Sequence, residues 1–60
     1  MVYAIYRKEP RAKLWWLHSI EETRTDADAE VRDLKERLDG KFWVVEFEAA
    51  DEAPSVLQEH

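Results

Sequence analysis

Apolar residues recur along this chain at two spacings, three times at the spacing of a strand and once at that of a helix. Val2 to Lys8 sets Tyr3, Ile5 and Arg7 on one side and Val2, Ala4 and Tyr6 on the other, rich in the residue types that suit a pleated surface. Glu9-Pro10-Arg11-Ala12 interrupts the pattern. Proline lacks an amide donor and fixes φ, so this stretch predicts a hairpin connection. The second strand, Lys13 to Ile20, alternates Leu14, Trp16, His18 and Ile20 against Trp15, Leu17 and Ser19, and neither side is plainly the wet one.

The apolar pattern stops between Glu21 and Thr25. Thr25 followed by Asp28 resembles a capping box with aspartate in place of glutamate, which predicts a helix over Asp26 to Asp39. Ala27, Val31, Leu34 and Leu38 then fall on one narrow stripe. Gly40, the only glycine, stands where a helix takes a left-handed residue after its last turn. Asp26, Asp28 and Glu30 lie early and Lys35 and Arg37 late, as the helix dipole favours.

Lys41 to Glu48 predicts a third strand, with Trp43, Val45 and Phe47 alternating against Phe42, Val44, Glu46 and Glu48. The first set is expected to meet the helix. After Ala50 the period is lost, and residues 51–60 are expected to form a tail beyond a single ββαβ domain of residues 1–50. The fold class that follows is α+β: a three-stranded sheet with one helix on one face, antiparallel in order 2-1-3. The alternative sets strand three parallel to strand two.

The helix stripe can cover one face of three short strands but not both, so aromatic side chains are left over. Whichever way the hairpin turns, either Trp15 or Trp16 looks away from the helix, accompanied by members of the set Tyr3, Tyr6, Phe42 and Val44. Burying one such side chain is worth roughly 1.5–3 kcal/mol, large beside the stability of so short a domain, and an exposed patch of this kind marks an interface. Tyr3, Tyr6, Trp15 and Trp16 are therefore candidates for self-association. A tail folded back over the face, with Val56 and Leu57 covering it, is the other way to hide them.

Length and composition narrow the function. Sixty residues admit one core, and without cysteine the chain has neither disulfide staples nor thiolate metal ligands. The start MVYAIYRKEP meets charge after six residues, too few for the core of a signal peptide, and no run approaches the roughly 20 apolar residues that span a bilayer. A cytoplasmic location with no membrane partner is expected. Charge is uneven: residues 1–20 carry a net +3 from Arg7, Lys8, Arg11 and Lys13 against Glu9, and the rest of the chain takes the total to −5. Such acidity favours basic protein surfaces over nucleic acid.

Catalytic chemistry finds little to work with. There is no glycine-framed serine, and the histidines are His18 and His60 alone. His18 beside Glu21 and Glu22 falls short of the ligand set that zinc or iron prefers, so no metal site and no cofactor are expected. Glu46 and Glu48 share one side of a strand at about 7 Å, a spacing that suits acid–base work only inside a cleft. The chain is expected not to be an enzyme. Aromatics beside Arg7, Lys8, Arg11 and Lys13 are the ingredients of a stacking platform for single-stranded nucleic acid, but the acidic remainder opposes phosphate.

On the helix, Asp26, Glu30 and Asp33 line one flank, Asp28 and Asp39 the other, and Glu36 tops the outward face, while Glu46 and Glu48 extend the negative area from the sheet. Carboxylates spaced along a rod can imitate phosphates in a basic groove. Arg32, Lys35 and Arg37 interrupt them and equally suit ion pairs on the helix surface. In size, acidity, lack of cysteine and the run TDADAEVRDLKERLDG, the chain resembles the small acidic inhibitors of phages and mobile elements, anti-CRISPR proteins among them. That resemblance implies a protein inhibitor occupying a nucleic-acid-binding surface of its partner. The expected contacts are Asp26, Glu30, Asp33, Glu36, Glu46 and Glu48, with a homodimerising structural or adaptor module as the second reading.

Overall fold

β-Branched and aromatic side chains carry the first two strands, β1 (Val2–Lys8) and β2 (Leu14–Glu21), which pair antiparallel in a computed structural model that describes residues 1–58. Glu59 and His60, the end of the expected tail, lie outside the described residues. The hairpin closes through a turn at Glu9-Pro10-Arg11-Ala12, in which the Ala12 amide donates to the Glu9 carbonyl at 3.0 Å. Proline at the second position and φ 71 at Arg11 identify a type II turn. Glycine or asparagine suits that third position better than arginine. Arg11→Asn is expected to raise stability by about 0.5 kcal/mol, read as a higher urea midpoint. A lower midpoint would mean that the arginine side chain itself contributes to the fold.

The alternation expected of β2 breaks at His18. Ile5 pairs with Ser19 but Tyr6 with Leu17, so His18 is the extra residue of a β-bulge. Each partner shares the face of the residue opposite, and the bulge puts Ile20, Leu17 and Trp15 together on the face of Ala4 and Tyr6. A strand with a phase shift in its middle shows apolar residues on both sides when read at a strict period of two.

The helix α1 spans Arg24–Arg37, two residues earlier at both ends than its pattern predicts. Thr23, not Thr25, caps it: the Thr23 hydroxyl accepts from the Asp26 amide at 3.1 Å. Both threonines have an aspartate three residues on, and the earlier frame adds a turn whose Arg24 pairs with Asp28 at 3.1 Å. Leu38 leaves the helix in an extended conformation and is half-exposed, so it drops out of the apolar stripe. Gly40 has a positive φ of 110, yet not as the residue next after the helix cap. A Cβ there would lie 2.4 Å from the Lys8 carbonyl oxygen, so glycine is required by close backbone approach.

β3 (Lys41–Phe47) pairs antiparallel with β1, and β4 (Val56–Gln58) pairs antiparallel with β2. The sheet is therefore four-stranded in order β3-β1-β2-β4, where three strands in order 2-1-3 were expected. The expected order survives within it, with β4 added beside β2. The parallel alternative is excluded.

Two apolar clusters sandwich the sheet. On the helix side, Ile5, Ala27 and Leu34 are buried with Tyr3, Val31, Phe42 and Val44 packed around them. The opposite side buries Ala4, Tyr6 and Trp15 against Leu17, Ile20, Val45, Phe47, Ala53 and Leu57. The assignment of Trp43, Val45 and Phe47 to the helix is thus inverted: Phe42 and Val44 meet it. Both rows of β3 are apolar, and the helix takes the row with fewer bulky rings. The second face is covered by the chain between β3 and β4. A 3₁₀ turn, Ala50–Glu52, is closed by the Ala49 amide donating to Glu52 Oε1 at 2.9 Å. The chain then crosses to the far edge, where the Tyr6 hydroxyl donates to the Pro54 carbonyl at 2.7 Å.

Candidate functional site

Strand direction sorts the charges. Glu21 and Glu46 are both partners of Tyr3, one on each side of it, so they share the helix face near the start of β1, about 10 Å apart across two strand spacings. Glu22 and Glu48 follow them in the chain, and α1 begins at this end with Asp26 in its first turn. Here the molecule has an acidic pole. Lys8 and Lys41 are partners at the other end of β1 and β3, where the hairpin adds Arg11 and Lys13. Here it has a basic one. The seven residues of β1 separate the poles by about 20 Å.

The sequence candidates divide accordingly. Asp26, Glu46 and Glu48 belong to the acidic pole, and all three are exposed. Glu30 and Asp33 lie farther along the helix and share Arg37, whose Nη2 is 2.7 Å from Asp33 Oδ2 and 3.9 Å from Glu30 Oε1. Their charge is partly offset, while Glu36 is exposed on the outer surface. Glu21 and Glu22 complete the pole but carry no sequence signal of that role. Only the register with Tyr3 brings Glu21 into line with Glu46.

The four aromatic candidates do not form one surface. Tyr6 and Trp15 are buried on the face under the crossing segment, and Tyr3 packs in the helix-side cluster. Trp16, partner of Arg7, lies on the helix side and is 56% exposed. It borders a hollow of about 140 Å³ shared with Arg7, Glu9, Leu17 and the exposed bulge residue His18. Arg7 is occupied there: its Nε and Nη2 donate to the Asp39 carbonyl at 3.0 and 2.7 Å, and Nη1 meets Glu9 at 3.2 Å. This fork ties the segment after the helix to the sheet. The aromatic that sequence reasoning misplaced is Trp43. Turned away from the helix, it is 45% exposed and meets Trp15 edge to face at 5.5 Å between centroids.

At the basic pole, a hollow of about 440 Å³ is lined by Lys8, Glu9, Pro10, Arg11, Ala12, Gly40 and Lys41. Lys8 Nζ lies 5.6 Å from the Trp15 ring centroid, a cation–π distance. Burial pushes the Tyr6 hydroxyl above its ordinary pKa of 10.0. Trp15 Nε1 and Ser19 Oγ are buried without a hydrogen-bond partner among the described residues. Among those residues, no three His, Cys, Asp or Glu side chains are placed to hold a metal ion, and no helix is long and apolar enough to cross a membrane. Compared with family models, curated proteins and solved structures, the chain finds no match in any of the three.

Proposed function

We propose that this chain is a small protein-binding module of the inhibitor or adaptor type, without catalytic activity, which engages a basic surface of its partner through the acidic pole. The observation that carries this reading is the separation of charge along the strands. About 20 Å between poles exceeds two Debye lengths of about 8 Å at physiological ionic strength. A partner docking at one end therefore responds to that end and hardly to the net charge. Glu22, Glu46 and Glu48, with Asp26 beside them, form the inner contact set. Glu30, Asp33 and Glu36 are the outer set, the first two weakened by Arg37.

Two triple variants of equal charge change test it. A labelled decalysine peptide serves as the model basic surface. Changing Glu22, Glu46 and Glu48 to lysine is expected to lower affinity about tenfold, at 0.2–1 kcal/mol per exposed pair. The same change at Glu30, Asp33 and Glu36 is expected to lower it by less. Equal losses would mean that net charge alone attracts the peptide, and the reading would fail.

The basic hollow favours a second reading, single-stranded nucleic acid held at Arg11 and Lys41, which line it, and at Lys13 next to it in the chain. Salt-sensitive binding of an oligothymidylate, lost when Arg11 and Lys13 become alanine, would move the function to that pole.

A further inference from the structure

We infer that β3 is a self-pairing edge, and that two copies of this chain join through it, antiparallel and centred on Val45, into one continuous eight-stranded sheet. The inference goes beyond the acidic-pole reading and does not rest on it.

The two edges of the sheet differ. On the β2 side the edge is interrupted by the bulge at His18 and partly covered by the short β4. On the other side β3 runs seven residues in unbroken register with β1, and among the described residues nothing pairs with its outer edge. A long regular edge presents a row of backbone donors and acceptors that template another strand.

Side chains select the copy and the register. The row Trp43, Val45, Phe47 has an aromatic residue on either side of Val45. Partners in an antiparallel pair share a face, so a two-fold axis at Val45 sets each Trp43 opposite the other copy's Phe47 and Val45 opposite itself. The half-exposed Trp43 ring then gains an apolar neighbour on its open side. An axis at Glu46 would set two carboxylates face to face, which is unfavourable. An axis at Val44 would put the Lys41 ammonium opposite Phe47 and leave the two aromatic residues unmatched.

Charge complementarity agrees. In the antiparallel arrangement Lys41 of one copy comes opposite Ala49 of the other, at the start of the turn that carries Asp51 and Glu52. Each basic pole thus lies beside an acidic one. Parallel pairing would bring like poles together. The contact is isologous and closes on itself, giving a dimer and not a fibre.

The absence of cysteine makes the register directly testable. Directly opposed residues of an antiparallel pair have Cα atoms about 4.5–5.5 Å apart, within disulfide range. Under mild oxidation, Val45→Cys is expected to form a disulfide-linked dimer. Trp43→Cys and Phe47→Cys are expected to cross-link when mixed, and neither by itself. Light scattering of the unmodified chain should approach twice the 7.2 kDa monomer mass as concentration rises, and Trp43→Lys should hold it at the monomer mass with an unchanged amide I infrared band. Should Trp43→Lys unfold, the cross-linking pattern decides alone. A monomer up to millimolar concentration would overturn the inference. So would cross-linking through Trp16→Cys in place of Val45→Cys, since it would put the contact on the other exposed tryptophan. The acidic pole is untouched in the Val45→Cys dimer and in the reduced chain alike, so repeating the peptide assay on both forms separates failure of the dimer from failure of the acidic pole.

Discussion

Gly40→Ala is expected to lose about 3 kcal/mol or more, a large part of the 3–9 kcal/mol that sixty residues ordinarily command. Two effects add. An L-residue at φ 110 is strained wherever it sits, and the new Cβ would stand 2.4 Å from the Lys8 carbonyl oxygen and 3.3 Å from its carbon. Neither atom belongs to a side chain that can swing aside. Lys8 is the last residue of β1 and pairs with Lys41, the first of β3, so relief would have to come from the pairing of these strands. In a urea titration the midpoint should fall steeply with an unchanged slope. A shift of the thermal midpoint of about 20 °C corresponds to the same loss at 4–8 °C per kcal/mol. If the variant melted with the unaltered protein, the loop would have to move freely, and the role given to Gly40 would be wrong.

Tyr6 should be comparably sensitive. Its ring fills the centre of the cluster under the crossing segment, with no exposed surface, and its hydroxyl holds the Pro54 carbonyl. Tyr6→Ala removes the ring and leaves a cavity, a change of about 3–5 kcal/mol for large aromatic side chains. Tyr6→Phe removes one hydrogen bond and should lose only about 1 kcal/mol. The two variants part again at alkaline pH. Burial raises the Tyr6 pKa above 10.0, so the unfolded chain releases this proton first. Stability from the neutral phenol is therefore complete below about pH 10 and declines as pH rises towards the folded value. Urea midpoints taken at rising pH should drop for the unaltered chain and drop less for Tyr6→Phe. Parallel curves would mean that the Tyr6 hydroxyl does not titrate with unfolding.

What could be read without coordinates follows from how local each signal is. The helix was legible because Ala27, Val31 and Leu34 repeat at one period and polar residues surround them. The pattern places its start two residues late, at Thr25, because that residue precedes an aspartate by three just as the true cap Thr23 does. The facing of β3 was not legible: Phe42 and Val44 are as apolar as their alternates, and only the register with β1, which sets Val44 beside Ile5, chooses between the rows. Strand β4 escaped because three residues after Pro54 carry no periodicity of their own, and its pairing is imposed by Leu14, Trp15 and Trp16 some forty positions earlier. His18 hid the phase of β2 in the same way. The uneven charge was visible as a basic first third and an acidic remainder. That Glu21 and Glu46 stand in one row could come only from the register.

The crossing from β3 to β4 also bears on the order in which the fold can close. The hairpin of β1 and β2 joins residues close in the chain, and the helix brings β3 back to β1. Tyr6 and Trp15, however, stay wet on one face until residues 53–57 have passed over them. A chain in which that segment has not yet docked carries a sheet with a bare aromatic side, a surface that aggregates when crowded. Residues 53–57 thus act as a latch, and the rate at which they dock sets how long the aromatic face stays exposed.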